Sequence, residues 1–566
     1  MHSPRPGSRQ QLKPFDSNGA FHPIAKAEGL RRTAVRGAGV MVFAQGVSFA
    51  VQIAATVVLA RLLTPADFGV VTMVTTFSLL LSSFGLNGFT EAILQREEVT
   101  HFLASNLFWI NIGAGVLLTI AFAALGPVMA LFYHDPLVAH VAKGMSLTIV
   151  VASFSVIHLA LLNRAMRFTA VSANGVIARV VYVVVSITLA LAGWGYWALV
   201  AGSIAQQLST SVGAWLMCRW IPSLPRRTPG TGATVKFAIN VYSHFGFSYF
   251  TGNTDNVLVG WRYGAGALGF YKKAFDLFTI PICQLLSPMG AVVVATLSRF
   301  NRERAHYQRY FLSGISVLAF VGMGIGADFT LAGRDLIRLV LGPAWAETGR
   351  IFVFFGPGIG VMLLYSTHGW IHLSIGRPDR WFRWGVFEFL CTAGLFVIGL
   401  PWGPRGIASA WTVSFFVLML PAFWYAGKPI GLGVAPILAV VWKFFVASAA
   451  AGCGAAWLIH IVPPFAVTPG ALGALARLVS VSLVFLALYL AAVVALHRGF
   501  EPLRQAARLI GDLLPQRSPR QLASAGPSAT SAGSSRPPND RPHTVDLAGG
   551  MPISLQPREA WEEHHS

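Results

Sequence analysis

Charge is what this 566-residue chain has least of. Asp, Glu, Lys and Arg together make up 11%, against about 25% in a soluble domain. Acid is scarcer still, with 22 Asp and Glu against 42 Lys and Arg. Cysteine is nearly absent: Cys218, Cys283, Cys391 and Cys453 show neither metal-ligand spacing nor a disulfide framework. They read as buried apolar fillers. No GxxxxGK[ST] loop and no HExxH occurs, so neither phosphate-loop nucleotide chemistry nor a zinc hydrolase is indicated. His368 and His372 in HGWIH share a helix face, but two imidazoles without a third ligand are a weak metal site. No metal site, no cofactor and no enzyme are expected. The net charge of +20 does not point to nucleic acid, because the basic residues are dispersed among short loops and the two tails.

What the chain has instead is apolar sequence. Apolar residues reach 54% and mean hydropathy is +0.61. About 14 separate stretches approach the roughly 20 residues that a bilayer core requires of a helix. They fall at 39–60, 70–94, 102–125, 138–162, 169–192, 195–217, 237–260, 275–298, 310–332, 351–375, 384–401, 405–426, 436–460 and 471–496. Backbone in lipid must satisfy its own hydrogen bonds, so each stretch is expected to be helical. The fold expected is an all-α polytopic membrane protein. Its divisions are a basic segment 1–38, a six-helix lobe 39–217, a linker 218–236, a second six-helix lobe 237–426, two additional helices 427–497 and a tail 498–566. In that tail 500–517 reads as a short amphipathic surface helix, and the Pro-, Ser- and Gly-rich remainder as disordered. The N-terminal segment reads as a disordered basic lead and not as a signal peptide.

An even number of spans puts both termini on one side. The loops on that side hold 15 Lys and Arg, and the opposite loops hold 8, counting Arg405 at the head of its span. Both termini are therefore expected in the cytoplasm. Membrane lipids are expected partners, anionic head groups included.

Local chemistry marks helix ends and breaks. In TPAD (64–67), Thr64 can cap, Pro65 suits the first helical position and Asp67 stands three residues after the cap. Asp135 and Pro136 repeat the pattern. Pro281, Pro288, Pro357 and Pro421 interrupt spans; each is either kinked packing or a hinge for alternating access. Charge inside a span is expensive and must face protein or water. Arg179 is either a structural partner of a carboxylate, Asp255 for example, or a cavity cation for phosphate. Asp255, beside Asn256, is either a packing hydrogen-bond acceptor or a proton or sodium site. Glu91, Asp328 and the Gln206–Gln207 pair are further polar intrusions, and Lys443 and Arg477 lie near span ends where they can snorkel. A faint internal repeat relates VLARLLTPADFG (58–69) to LVGWRYGAGALG (258–269), 200 residues apart. It suggests two parallel halves with a site between them.

ARLLTPADFG (60–69), LLNRAMRF (161–168), GWGYWALVAG (193–202) and NTDNVLVGWRYGAGALGFYKKAFDL (253–277) together resemble Wzx-type polysaccharide flippases, nearest the colanic-acid-exporter branch. These belong to the multidrug/oligosaccharidyl-lipid/polysaccharide superfamily. The resemblance spans residues 31–498, while Trp261, Lys272 and Lys273 depart from the pattern. It implies a bacterial inner-membrane flippase for undecaprenyl-diphosphate-linked oligosaccharide, serving exopolysaccharide, capsule or O-antigen synthesis. It also implies MATE-like lobes about a V-shaped cavity, and polysaccharide polymerase and export proteins as partners. Arg61, Pro65, Asp67, Gly69, Asp255, Asn256 and Gly269 occupy its motif positions. On this reading Arg179 binds the diphosphate, Arg164 and Arg167 gather it, Asn256 joins the cavity and Asp255 carries the coupling ion. The rival reading on the same fold is an ion-coupled multidrug or organic-cation antiporter, which would favour acidic cavity residues; Glu91, Asp255, Asp328 and Glu388 are the few available.

Overall fold

The computed structural model describes residues 14–16, 19, 21, 27–96, 98–301, 303–461 and 470–504. The surface helix expected at 500–517 lies outside these after Arg504, as does the rest of the tail. Among the described residues the structure is helical, with one isolated bridge between Phe15 and Phe21.

Seven helices make the first group: α1 (Ala27–Leu62), α2 (Pro65–Gln95), α3 (His101–Tyr133), α4 (Leu137–Ser153), α5 (Val156–Arg164), α6 (Phe168–Leu191) and α7 (Tyr196–Cys218). Then come α8 (Thr231–Thr251), α9 (Thr254–Arg299), α10 (Arg304–Val340), α11 (Ala346–Phe355), α12 (Gly358–Ser366), α13 (His368–Ser374), α14 (Pro378–Gly399) and α15 (Gly403–Gly427). The last pair is α16 (Val434–Ile461) and α17 (Ala471–His497). Helices α1–α7 pack among themselves, as do α9–α15, whereas α8 lies mainly on α2 and α3. The final pair packs on α10, fastened by an Arg477–Asp335 ion pair at 2.8 Å and by the Tyr489 hydroxyl donating to the Phe320 carbonyl at 2.6 Å.

Nine helical runs among the described residues are long and apolar enough to cross a membrane, or ten if the bent pair Pro343–Phe355 and Gly358–Ser374 is one span. By this measure α14 and α15 merge into one run, and α7, α8 and α9 fall outside it, so it does not resolve fourteen separate passes. Large apolar side chains point outward along these runs, Leu117, Ile120 and Leu131 among them. In a multi-pass membrane protein that face meets hydrocarbon rather than water.

Several local expectations are refined. The capping box forms as read: Asp67 N donates to Thr64 Oγ1 at 3.2 Å, and Thr64 N donates to Asp67 Oδ2 at 2.9 Å. The loop expected at 261–274 is almost wholly helix, because the chain reverses at the single residue Gly264 (φ 77°), in a backbone region that glycine enters without strain. Of the proline positions, Pro357 lies at the 56° bend between the two halves of its span. Helix α9 runs on through positions 281 and 288, and α15 runs through Pro421. Part of the N-terminal lead is packed rather than loose: Phe15 is buried, edge-on to Phe21 and His101. Of the cysteines, Cys218 alone is buried, while Cys283 and Cys453 are exposed.

Candidate transport site

The repeat motifs meet. An added Cβ at Gly69 would stand 1.7 Å from the Ala265 carbonyl oxygen, and one at Gly269 would stand 1.8 Å from the Pro65 carbonyl oxygen. Residue 69 touches 265 and residue 269 touches 65, a reciprocal contact between segments offset by 200 residues. That is the signature of a local two-fold relation, in which the same patch meets itself. Only glycine allows so close an approach of α2 and α9.

Other contacts close the same end of the bundle. Arg61 Nη2 donates to the Leu339 carbonyl at 3.0 Å. Buried Trp345 donates its Nε1–H to the Ala60 carbonyl at 2.7 Å and stands edge-on to Phe68 at 5.5 Å. The Lys273 ammonium lies over the Phe68 ring, 4.1 Å from its centroid. Arg61, Pro65, Gly69 and Gly269 thus meet the opposite half at one junction, while Asp67 caps α2 within its own half.

Toward the middle of the bundle, α8 ends at Thr251 and α9 starts at Thr254, a break inside a span. Asp255 follows it and is fully buried. Its Oδ2 accepts from the Tyr271 hydroxyl at 2.7 Å and from Trp411 Nε1 at 3.0 Å. Its Oδ1 has no partner. Asn256 donates to Asn253 Oδ1 at 3.2 Å, while its own buried Oδ1 is also unpartnered. Two unengaged oxygens on adjacent residues at a helix break are suited to a small cation or a proton.

Arg179 is half-buried on α6 and hydrogen-bonds Gln52 Oε1 of α1. It does not pair with Asp255, whose partners come from α9 and α15. At the far end of α2, Arg164 Nη1 donates to the Ile93 and Arg96 carbonyls, each at 2.6 Å. Arg167 Nη1 donates to the Met217 carbonyl at 3.0 Å. Both therefore fasten helix ends. The structure brings the junction motifs together and leaves Arg179, Asp255 and the Arg164–Arg167 pair as three separate places. Sequence reasoning missed Gln52, Tyr271, Trp345 and Trp411; their only signal was a polar-tipped side chain inside an apolar run.

Two repeated helical halves, a glycine-sealed junction and a broken span bearing a buried carboxylate define a membrane-transporter architecture. The solved structures agree on the fold. A lipid II flippase MurJ in an inward closed conformation is similar with a TM-score of 0.66 at 15% identity, covering 81% of this chain and 98% of that one. An inward-facing multidrug resistance MATE family transporter of the MOP superfamily is similar with a TM-score of 0.57 at 13% identity, covering 68% and 94%. The chain belongs to the polysaccharide biosynthesis protein family, whose model matches residues 58–350. Its relatives include the teichuronic acid biosynthesis protein TuaB of Bacillus subtilis, 24% identical over 64% of this chain and 76% of that protein. The succinoglycan biosynthesis transport protein ExoT of Rhizobium meliloti is 22% identical over 67% and 77%. The lipopolysaccharide biosynthesis protein WzxC of Escherichia coli is 20% identical over 69% and 82%.

Proposed function

We propose that this protein is a flippase. It moves undecaprenyl-diphosphate-linked oligosaccharide units across the bacterial inner membrane, by alternating access, for surface polysaccharide synthesis. The observation that carries the reading is a transporter fold on a chain of the polysaccharide biosynthesis family. The Lys and Arg bias supports placing both termini and the Arg164–Arg167 end in the cytoplasm. The glycine-sealed junction is then on the outer side, and the cargo enters from within.

The glycan and diphosphate travel in the polar interior while the polyprenyl tail stays in lipid. Arg164 and Arg167 put positive charge at the entry, where it attracts a diphosphate. Arg179 receives the diphosphate at mid-depth, exchanging its neutral amide partner Gln52 for an anion, which guanidinium binds more strongly. Asn256 lines the glycan path and Asp255 carries the coupling ion. The bend at Pro357 is the hinge with a visible break; Pro281, Pro288 and Pro421 sit inside helical runs. Polymerase and export proteins take the product onward.

The test is a mass-spectrometric profile of polyprenyl-linked glycans after depletion of the protein. A complete repeat unit accumulating on the cytoplasmic face, with surface polysaccharide lost, is expected. An unchanged pool refutes the flippase.

A further inference from the structure

Away from the junction and Asp255, the second half holds a polar ladder between α12–α13 and α14. On α14, Arg380, Trp384 and Glu388 recur every four residues, so the ladder rises about 12 Å at 1.5 Å per residue. Facing them are His372, His368 and Tyr365. His372 is completely buried and His368 nearly so, with ring centroids 6.0 Å apart. His368 Nδ1 lies 2.6 Å from the Tyr365 carbonyl. A carbonyl only accepts, so that nitrogen bears the proton. The Nε2 of a neutral His368 is then a bare lone pair, and it has no partner. Neither nitrogen of His372 has one. Buried polar atoms are normally satisfied, so three orphans on two adjacent imidazoles require an explanation.

The upper rung supplies a direction. Trp384 Nε1–H donates to the Tyr365 hydroxyl oxygen at 2.8 Å, and that hydroxyl in turn hydrogen-bonds Glu388. Its proton therefore points to the carboxylate. At the lower end Arg380 lies 4.2 Å over the Tyr425 ring and donates to the Tyr425 carbonyl. His372 feels Arg380 and Asp379 electrostatically.

We infer that this ladder is a proton path, in which His372 and His368 relay a proton from the Arg380 end to the carboxylate of Glu388. His372 can accept at one nitrogen and release from the other. His368, its Nδ1–H held on a carbonyl, takes up and gives back at Nε2; neither that nitrogen nor those of His372 is in direct hydrogen-bond contact with its neighbour in the ladder, so each of these two transfers passes through one bridging water. The Tyr365 hydroxyl is the last link: it gains a proton on oxygen and passes its own to Glu388. Water at the entry loses one proton and Glu388 gains one O–H bond, so no other reactant is needed.

The other ionisable groups packed around the ladder are Cys391 on α14, Tyr425 on α15 and Tyr307 on α10. The last is hydrogen-bonded to Ser374 Oγ at 2.6 Å. Helix α9, also packed on α13, bears no carboxylate from Leu277 to Arg299. Glu388 is thus the acceptor that the ladder leads to. A metal is the poorer occupant, because no three His, Cys, Asp or Glu side chains converge among the described residues.

The inference rests on the transport reading for its use, but proton binding can be measured without cargo. The full chain in nanodiscs is jumped from alkaline to acidic pH while infrared difference spectra follow the protonated-carboxyl stretch. Wild type should develop that band, Glu388→Gln should lose part of it, and His372→Gln should keep its amplitude but form it at least about tenfold more slowly. Tyr365→Phe, which preserves the ring, should also slow it. A band untouched by Glu388→Gln, or formation rates unchanged in both His372→Gln and Tyr365→Phe, overturns the path. Proteoliposomes separate the two readings. Wild type that forms the Glu388 band yet moves no polyprenyl-diphosphate glycan refutes the flippase and leaves the proton path standing.

Discussion

Gly269→Ala is the sharpest perturbation of the junction. The new methyl carbon would lie 1.8 Å from the Pro65 carbonyl oxygen, with the Pro65 carbonyl carbon at 2.7 Å. Both are backbone atoms, so no rotamer change relieves the clash. Carbon and carbonyl oxygen meet no closer than about 3.3 Å, so α2 and α9 must part by roughly 1.5 Å there. Overpacking of this kind costs about 1–3 kcal/mol or more. The separation also strips contact from the reciprocal Gly69–Ala265 approach and from the Trp345–Ala60 hydrogen bond. Gly266 is the matched control, since nothing lies within 4 Å of its added Cβ. Thermal unfolding of purified protein in detergent should show Gly269→Ala several degrees below wild type and Gly266→Ala unchanged. Surface polysaccharide should fall in cells carrying the former and persist with the latter. Equal behaviour of the two variants in both assays would refute the backbone-contact argument.

Trp345→Phe keeps the ring against Phe68 but strands the Ala60 carbonyl; about 1–3 kcal/mol of destabilisation is expected, read by the same unfolding assay. Arg179→Ala should abolish export with the protein still in the membrane, and normal surface polysaccharide in that variant would sink the diphosphate role. Asp255→Asn should blunt any dependence of transport on a proton or sodium gradient in proteoliposomes; an unaltered dependence would remove Asp255 from the coupling. Asp335→Ala and Arg477→Ala should each destabilise α17, and a double-mutant cycle on unfolding should return a coupling of about 1 kcal/mol, because the pair is only partly shielded from its surroundings.

What was legible in the sequence was local. The capping box needs only Thr64 and Asp67, three residues apart, and an apolar run announces a span wherever its neighbours lie. The glycines at 69 and 269 were visible as a repeat, but not as touching, because an offset of 200 residues says nothing of approach. Asp255 was visible as an intrusion, yet its partners Tyr271 and Trp411 lie 16 and 156 residues on, and Arg179 meets Gln52 at a distance of 127 residues. The loop at 261–274 was misjudged because its basic residues resemble a connection, while one glycine with positive φ suffices to turn a helix back. Cys283 and Cys453 were misjudged because in a membrane protein an apolar side chain gains nothing from the interior that lipid does not also supply.

The reciprocal junction also bears on how the molecule would change state. Its contacts are carbonyl oxygens against glycine Cα atoms, and such contacts do not stretch. A dispersion contact loses a quarter to a half of its strength over a gap of about 0.5–1 Å. Parting α2 from α9 by one ångström therefore forfeits about half of both glycine contacts, and lengthens the Trp345 and Arg61 hydrogen bonds to backbone carbonyls of the opposite half. A junction of that kind is either closed or open, as packed interfaces generally are. An alternating-access transporter needs such a seal on one face while the other admits cargo. Cargo binding must then supply the differential free energy that breaks it, and the two-fold relation between Gly69–Ala265 and Gly269–Pro65 makes both halves release together.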